Sequence, residues 1–335
     1  MIDKEFLNSL TCPICSRELH QEEDKLVCFS KHVFPIINGI PRFVDSDKYV
    51  RSFTVEWLNN PVTQYDKEFP SINNYESIFI PFKEYDKKFN QEWKSHPFVS
   101  NWDQINQSET YDNFVIKTGF RPEDFKGKRV LDVGCGNGRF LDVLSRAGAI
   151  CYGMDLSLSV EVAKDNLKDR ENVFIVQGDL NLNPFKEGFF DLVFSIGVLH
   201  HTPSVETAVS QISKIPKIKG DLAVWVYGKR RHYNLARFWR RILSRLPYKI
   251  LYNICKSSKW LYYIYRLPVI GYVRVLFPIA MNPDPKIRLQ STFDSYSPKY
   301  TQKTSYSELA YYFKQNGYSQ IEVGVFPTSV RGKRL

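Results

Sequence analysis

Short apolar runs alternate with segments of helical periodicity from residue 128 onward. Each run is long enough for one buried strand, and apolar residues recur three or four positions apart in between. The predicted strands are residues 129–133, 150–155, 173–177, 191–196 and 221–227, and the predicted helices include residues 157–167 and 204–215. This alternation predicts a doubly wound α/β fold, in which a mostly parallel sheet lies between two layers of helices.

The alternation stops after residue 227 and resumes near the end of the sequence. Residues 305–315 have the pattern of a helix, and residues 319–325 have the pattern of a sixth strand. Residues 328–335 are the remaining candidate for a seventh strand, although the segment is short. The predicted α/β domain therefore covers residues 126–335 and contains an insert at residues 228–290.

The chain before residue 126 divides into two parts. Residues 1–45 contain closely spaced cysteines and are predicted to form a small unit of their own. Residues 46–125 are rich in aromatic residues and asparagine and contain few long periodic runs. This lead-in either covers one edge of the sheet or forms a lid that takes part in a binding pocket.

The first unit carries four potential metal ligands. Cys12, Cys15, Cys28 and His32 have the spacing C-x2-C-x12-C-x3-H, which suits a tetrahedral Zn²⁺ site. A unit of this size buries little apolar surface, so a bound metal would supply much of its folding free energy. The alternative is that these are free thiols of a reducing compartment.

The positive charge of the protein is concentrated in the insert. The chain of 335 residues has a net charge of +10. Residues 228–290 contain 14 basic residues and one acidic residue, a net charge of +13, so the other residues sum to −3. Within the insert, apolar residues form a helical stripe with arginines interleaved: Leu235, Phe238, Trp239, Ile242, Leu243 and Leu246.

Three interpretations of the insert remain open at this point. It is a helical lid that packs its stripe on the main domain, a helix pair on an anionic membrane surface, or an RNA-binding face. The sequence contains neither an apolar stretch of transmembrane length nor a secretory signal pattern. We therefore expect a cytoplasmic protein, with peripheral contact at the membrane if the second interpretation holds. The sequence does not predict its oligomeric state.

A glycine-rich loop follows the first strand of the α/β domain. Gly134, Gly136 and Gly138 allow a ligand to lie against the main chain. Asp155 ends the next strand, about 20 residues further on, where a carboxylate can hold a ribose diol. A dinucleotide site has a third glycine where Arg139 stands, and Asp132 would repel a diphosphate. A cationic ligand without phosphate fits better.

Residues 132–138, DVGCGNG, resemble the first motif of class I S-adenosylmethionine-dependent methyltransferases. Residues 190–203 resemble the motif after the fourth strand of the quinone-biosynthesis-like methyltransferases within that class. The resemblance implies a Rossmann-like fold and a cofactor site formed by Asp132, Gly134, Cys135, Gly136, Gly138, Asp155, Leu156, Asp179, Leu180, Ser195 and Gly197. It implies that Asp155 binds the ribose and that Asp179 and Leu180 contact the adenine. It also implies that Ser195 and Gly197 lie near the methionine part of the cofactor.

The same resemblance suggests where a proton would be removed. His200 and then His201 are the candidate general bases just beyond the fourth strand, and Tyr227 is a third candidate. In the N-terminal unit, residues 34–43 resemble the closing strand of zinc ribbons in the tRNA-methyltransferase activator family.

Three hypotheses follow for function. The first is methyl transfer to a small-molecule or lipid-linked acceptor. The second is RNA methylation, in which the ribbon and the insert hold the nucleic acid. The third is a catalytically idle domain that binds the cofactor and serves as a scaffold.

Overall fold

The structure is a computed structural model that describes residues 2–44, 79–81, 110–229, 234–267, 277–283, 285–297, 300–324 and 328–335. Most of the predicted lead-in at residues 46–125 lies outside these ranges. The helices are α1 (Lys4–Asn8), α2 (Thr110–Thr118), α3 (Arg139–Arg146), α4 (Ser159–Asn166), α5 (Val205–Ile212), α6 (Asn234–Leu243), α7 (Tyr248–Cys255), α8 (Ser258–Ile264), α9 (Pro285–Tyr296) and α10 (Tyr306–Gln315).

The N-terminal unit is a small antiparallel sheet, hereafter the ribbon (residues 2–44). Its strands are β1 (Leu19–Glu22), β2 (Lys25–Cys28), β3 (Val33–Ile37) and β4 (Ile40–Pro41), which pair in sequence order. Asn38 and Gly39 both have positive φ in the tight connection between β3 and β4. This connection turns the chain back toward the main domain.

The central sheet confirms the predicted fold class. Its strands are β5 (Phe79–Pro81), β6 (Arg129–Val133), β7 (Ile150–Asp155), β8 (Val173–Gln177), β9 (Phe190–Ile196), β10 (Pro216–Trp225), β11 (Tyr318–Gly324) and β12 (Ser329–Arg334). They lie in the order β5-β11-β12-β10-β9-β6-β7-β8, and the neighbours from β10 to β8 are parallel. The short seventh strand of the prediction is present as β12, which pairs antiparallel with β10 and β11.

One strand was not predicted. The segment Phe79–Pro81 in the lead-in pairs antiparallel with β11 and extends the sheet to eight strands. Three residues are too few to produce an alternating pattern, so sequence periodicity could not reveal this strand.

Helices cover both faces of the central sheet. On one face, α2, α3 and α4 contribute Phe114, Leu141 and Val160 to a core that includes Phe194 of β9. On the other face, α5 and α10 pack against the sheet together with the ribbon. Most of each strand from β6 to β9 and the second half of β10 are therefore buried, which explains their largely apolar sequences.

The ribbon shares its hydrophobic core with the α/β domain. The Phe6 ring stacks on Phe174 of β8 with ring centroids 5.0 Å apart, and Phe174 lies 5.2 Å from Tyr152 of β7. Main-chain hydrogen bonds join the two parts, since Thr11 N donates to Pro184 O at 2.7 Å and Lys186 N donates to Ser9 O at 2.9 Å. The ribbon therefore has a sheet of its own but no independent core.

The insert is a helical subdomain with its own core. Leu243, Leu251, Cys255, Phe293 and Tyr296 form a buried cluster to which α6, α7 and α9 contribute. The predicted apolar stripe is divided, because Trp239, Leu243 and Leu246 join this cluster whereas Phe238 and Ile242 are exposed. Phe238 and Ile242 therefore do not take part in the packing that the lid interpretation describes. No helix within the described ranges has the length and apolarity needed to cross a membrane.

Candidate cofactor and metal sites

The glycine loop leaves β6 and leads directly into α3. Gly134 N donates to Met154 O at 2.7 Å, so the loop begins against the end of β7. Gly134 has φ of +89°, and a Cβ built there would lie 2.2 Å from Cγ2 of Val198. The loop after β9 therefore contacts the glycine loop so closely that no side chain fits between them.

Asp155 fastens the glycine loop to the end of β7. Its Oδ2 accepts from Gly136 N at 2.9 Å, and its Oδ1 accepts from the amide and the hydroxyl of Ser157, both at 2.8 Å. Asp155 is only partly buried. A carboxylate has about four acceptor positions, so the exposed part of Asp155 retains capacity for a ribose diol.

Asp132 is a buried carboxyl group beneath the loop. Its Oδ2 has no hydrogen-bond partner among the described residues, and the side chain is 1% exposed. Burial and the neighbouring Asp155 carboxylate raise the pKa of Asp132 well above its usual value. An unsatisfied buried carboxyl is costly, and a cationic ligand placed at the loop would relieve that cost.

The other predicted cofactor residues occupy the same edge of the sheet. Gly178 N donates to Asp155 O at 3.0 Å, which brings Asp179 and Leu180 next to Asp155 and Leu156. Asp179 Oδ1 accepts from Asn181 N at 2.9 Å and Asn181 Nδ2 at 2.8 Å, so it also organises its own turn.

Two predicted cofactor side chains have internal roles. Ser195 is fully buried, and its hydroxyl donates to Val133 O at 2.8 Å, which ties β9 to β6. The Cys135 thiol is buried at the base of the loop, where burial raises its pKa well above the usual value. For these two residues, a ligand contact would have to come from the main chain. Gly197, by contrast, borders the site, and its amide donates to Trp225 O at 3.0 Å.

Lys117 is a candidate site residue that the sequence analysis missed. It lies on α2, it is 7% exposed, and its Nζ is 4.4 Å from the centre of the Trp225 ring. Burial, with a further contribution from the positive charge of Arg139, lowers the pKa of Lys117 to about 7. A buried lysine in the apolar run FVIKTGF was the available sequence signal. The charges of Lys117 and Arg139 influence each other, so an anionic group close to both would be favoured.

The hydrogen bonds of the two histidines differ in a way that bears on general-base catalysis. His200 is fully buried, and its Nδ1 accepts from Tyr227 N at 3.3 Å, so the neutral ring carries its proton on Nε2. Burial, together with the charges of His201 and Arg240, lowers the pKa of His200 well below its usual value. His200 is thus held as a neutral hydrogen-bond donor.

His201 is held in the opposite arrangement. Its Nδ1 lies 3.1 Å from Tyr300 O, and because a carbonyl only accepts, Nδ1 carries the proton. The neutral His201 ring therefore has its lone pair on Nε2, which is the form that a general base needs. This geometry favours His201 as the candidate, whereas the sequence favoured His200, and the assignment of a general base stays a prediction. Tyr227, the third candidate, stacks on His200 with ring centroids 3.7 Å apart.

The four predicted metal ligands converge in the ribbon. The ligand atoms of Cys12, Cys15, Cys28 and His32 all lie within 4.8 Å of one another. The Cys15 and Cys28 sulfurs are 3.7 Å apart, and His32 Nδ1 lies 3.3 Å from Cys12 Sγ and 3.4 Å from Cys28 Sγ. Sulfur ligands about 2.3 Å from a tetrahedral Zn²⁺ would have similar separations. The donor set and its geometry fit zinc.

Comparison with known proteins finds a family match in each of two stretches of the chain. Residues 131–224 match the family described as a methyltransferase domain. The chain carries a methyltransferase domain. Residues 3–39 match the family described as Trm112p-like protein. The two matches correspond to the sheet around the glycine loop and to the ribbon, in agreement with the predicted resemblances.

Individual relatives cover this chain only in part. A tRNA U34 carboxymethyltransferase from Ruthia magnifica is 27% identical over 206 residues, which are 59% of this chain and 62% of that protein. A ubiquinone biosynthesis O-methyltransferase from Coxiella burnetii is 32% identical over 99 residues, 29% of this chain and 42% of that protein. The chain thus spans less than two thirds of each of these relatives.

The chain also has partial similarity to solved structures. The magnesium protoporphyrin IX methyltransferase of Synechocystis, solved with bound SAH, is 16% identical to this chain. The match covers 71% of this chain and 84% of that one, with a TM-score of 0.40.

Proposed function

We propose that the protein transfers a methyl group from S-adenosylmethionine to an acceptor molecule. The observation that carries this proposal is the pair of carboxyl groups, Asp132 and Asp155, on either side of a glycine loop. Asp132 has an unsatisfied buried oxygen, and Asp155 is bonded to the loop itself. A sulfonium or ammonium ligand fits two carboxyl groups, whereas a diphosphate would be repelled.

Different residues around the loop would bind different parts of such a ligand. Asp155 would accept from the ribose hydroxyls, and the turn at Asp179 and Leu180 would meet the adenine. Asp132 would face the positive charge of the methionine part, and Lys117 would face its carboxylate. When bound, S-adenosylmethionine supplies an electrophilic methyl group, and the protein aligns the acceptor with it.

His201 is the residue that we propose for proton removal. Its Nε2 carries the lone pair when the ring is neutral, because Nδ1 donates to Tyr300 O. His201 Nε2 would accept the proton of an acceptor hydroxyl. His200 would instead donate a hydrogen bond from Nε2, since its Nδ1 is occupied by Tyr227 N.

The ribose assignment gives a direct test. Replacing Asp155 by Asn is expected to weaken binding of S-adenosylmethionine roughly 10-fold or more, because a charge-assisted hydrogen bond is worth about 1.5–3 kcal/mol. Calorimetric titration measures the change. Asp165→Asn, an exposed acid on α4, is the matched control and should bind like wild type. Equal affinity in the Asp155 variant would refute the assignment.

The role of Lys117 can be tested with two ligands. Lys117→Met should weaken binding of S-adenosylmethionine roughly 10-fold, since a charge-assisted bond to the carboxylate is lost. It should leave binding of 5′-methylthioadenosine unchanged, because that ligand lacks the amino-acid part. A similar loss for both ligands would show that Lys117 acts through the fold rather than through the carboxylate.

The lowered pKa of Lys117 also predicts a pH dependence. Without ligand its amine titrates at about 7, and a bound carboxylate would raise that pKa. Binding therefore takes up a proton above pH 7, so affinity should fall as the pH rises from about 7 to about 9 and stay level below 7. The difference between wild type and Lys117→Met isolates this effect from titration of the ligand's own amine.

For the acceptor, we propose a small or lipid-linked molecule, and the similarity to a ubiquinone biosynthesis O-methyltransferase supports this class. An RNA acceptor is the second candidate, supported by the similarity to a tRNA U34 carboxymethyltransferase and by the Trm112p-like ribbon. Labelled S-adenosylmethionine added to cell extract, followed by separation into RNA, lipid and small molecules, distinguishes the two. Label in none of the fractions would favour a cofactor-binding scaffold.

A further inference from the structure

One side of α8 exposes a row of large apolar and aromatic side chains. Trp260 is 69% exposed, Tyr263 is 63% exposed, and Leu267, just beyond the helix, is 50% exposed. These positions are three and four residues apart, so they lie on one side of the helix. Tyr262 and Tyr265 face the opposite way and are buried. The packing of the helix therefore does not bury the side chains of the exposed row.

Basic residues accompany this row. Lys259 is exposed on α8 one turn before Tyr263, Lys256 is exposed at the end of α7, and Arg266 is exposed just beyond α8. We call Lys256, Lys259, Trp260, Tyr263, Ile264 and Leu267 the α8 face. Ile264 is 42% exposed within it. The surface therefore combines positive charge with amphipathic rings and aliphatic groups.

The α8 face belongs to the most basic part of the chain. Residues 228–290 carry a net charge of +13. Exposed apolar residues also occur on the preceding insert helices, at Phe238 and Ile242 of α6 and at Ile250 of α7. The core of the insert is completed by other residues, Leu243, Leu251 and Phe293 among them. Folding of the insert therefore does not account for these exposed side chains.

We propose that the α8 face docks the protein on an anionic membrane surface. Tryptophan and tyrosine settle at the level of lipid headgroups, aliphatic side chains enter the boundary with the acyl chains, and lysines extend toward acidic headgroups. Each component of the α8 face has a counterpart in that environment. Positive charge on the insert and negative charge on the lipid are complementary. This inference does not depend on the proposed methyl transfer.

A membrane explains the α8 face better than RNA does. Single-stranded RNA offers bases for stacking on Trp260 and Tyr263 and phosphates for the lysines. It offers nothing apolar to cover Ile264 and Leu267, which would remain in water. A lid that packs on the methyltransferase domain would bury Trp260, but Trp260 is mostly exposed.

The test is co-sedimentation of the full chain with two kinds of vesicle. Wild-type protein should sediment with vesicles that contain phosphatidylglycerol and remain in the supernatant with phosphatidylcholine alone. Trp260→Ala combined with Leu267→Ala should reduce the apparent affinity for the anionic vesicles roughly 10-fold, because two exposed apolar anchors are lost. Tyr311→Ala, which removes a 55% exposed aromatic ring from α10, is the control and should change nothing.

Fluorescence provides a second measurement that does not rely on an alanine variant. Anionic vesicles should shift tryptophan emission to shorter wavelength in wild type, and the shift should be largely lost in Trp260→Phe, which keeps an aromatic ring. Absence of sedimentation, equal binding by the double variant and Tyr311→Ala, or a shift that persists in Trp260→Phe would each overturn the proposal. The proposal would also be overturned if the wild-type protein did not bind vesicles and the double variant lost RNA binding.

Discussion

Replacement of Cys12 by Ser is expected to lower the melting temperature of the whole protein by roughly 5 °C or more. Loss of a structural metal is among the largest single-residue effects, and we expect it to cost roughly 4 kcal/mol or more at this site. Cys12 is fully buried, and its sulfur lies 3.3 Å from His32 Nδ1. Serine would leave three ligands around the metal and a buried hydroxyl in place of the fourth.

The effect should reach beyond the ribbon because the two parts share one core. Phe6 and Phe34 of the ribbon belong to the same buried cluster as Tyr152 and Phe185 of the methyltransferase domain. When the ribbon unfolds, Tyr152 and Phe185 lose the side chains that bury them. A single, earlier transition is therefore expected in thermal unfolding rather than a separate low-temperature step for the ribbon.

A matched cysteine distinguishes metal loss from simple disturbance of a core. Cys255→Ser also places a hydroxyl in a buried site, but that site lies in the core of the insert. Cys255→Ser should retain about one zinc per chain and remain sensitive to chelators, whereas Cys12→Ser should lose both properties. Unchanged zinc content and melting temperature in Cys12→Ser would contradict a metal role for this residue.

Replacement of Gly134 by Ala is expected to abolish measurable binding of S-adenosylmethionine and to destabilise the fold by roughly 2–4 kcal/mol. Part of the cost is backbone conformation, since an L-residue at φ of +89° is disfavoured by about 1–2 kcal/mol. The larger part is steric, because the new methyl group would lie 2.2 Å from Cγ2 of Val198. The loop after β9 would be displaced from the glycine loop.

Two further variants separate the backbone and steric contributions. Gly188 has φ of +70° and open space where a Cβ would be, so Gly188→Ala should show only the backbone cost and bind the ligand normally. Adding Val198→Ala to Gly134→Ala removes most of the clash and should recover part of the stability and part of the affinity. Denaturant unfolding and calorimetry measure the two quantities. If Gly188→Ala were as damaging as Gly134→Ala, the steric explanation would fail.

The sequence was sufficient to predict most of the fold and to select candidate site residues that the structure brings close together. Parallel strands buried on both faces are continuous apolar runs, so β6 to β10 could be located from local pattern. The glycine loop, Asp155 and the ribbon ligands could be identified because their chemistry depends on short spacings. The four ribbon ligands converge, as their spacing predicts, and Asp155 lies at the glycine loop, where it accepts from Gly136 N.

Features that depend on packing between distant segments could not be predicted in this way. No local pattern indicates that Phe6 stacks on Phe174, and Lys117 became a candidate only when α2 placed it beside Trp225. The tautomers of His200 and His201 depend on main-chain partners, Tyr227 N and Tyr300 O, that come from other elements. The insert stripe was divided because half of it packs within the insert, a choice that periodicity does not encode.

The end of the ribbon has a consequence for how the protein behaves in solution. Strand β8 is the last strand on its side of the sheet, and Arg42 lies beside it in a parallel bridge with Gln177. Phe43 N donates to Gln177 O at 2.8 Å, and the buried Arg42 side chain bonds to Gln177 Oε1 at 3.0 Å and pairs with Glu161. An uncovered edge strand is a template for pairing with other chains. The ribbon therefore caps this edge, and we expect a chain without residues 1–44 to aggregate by edge-to-edge pairing.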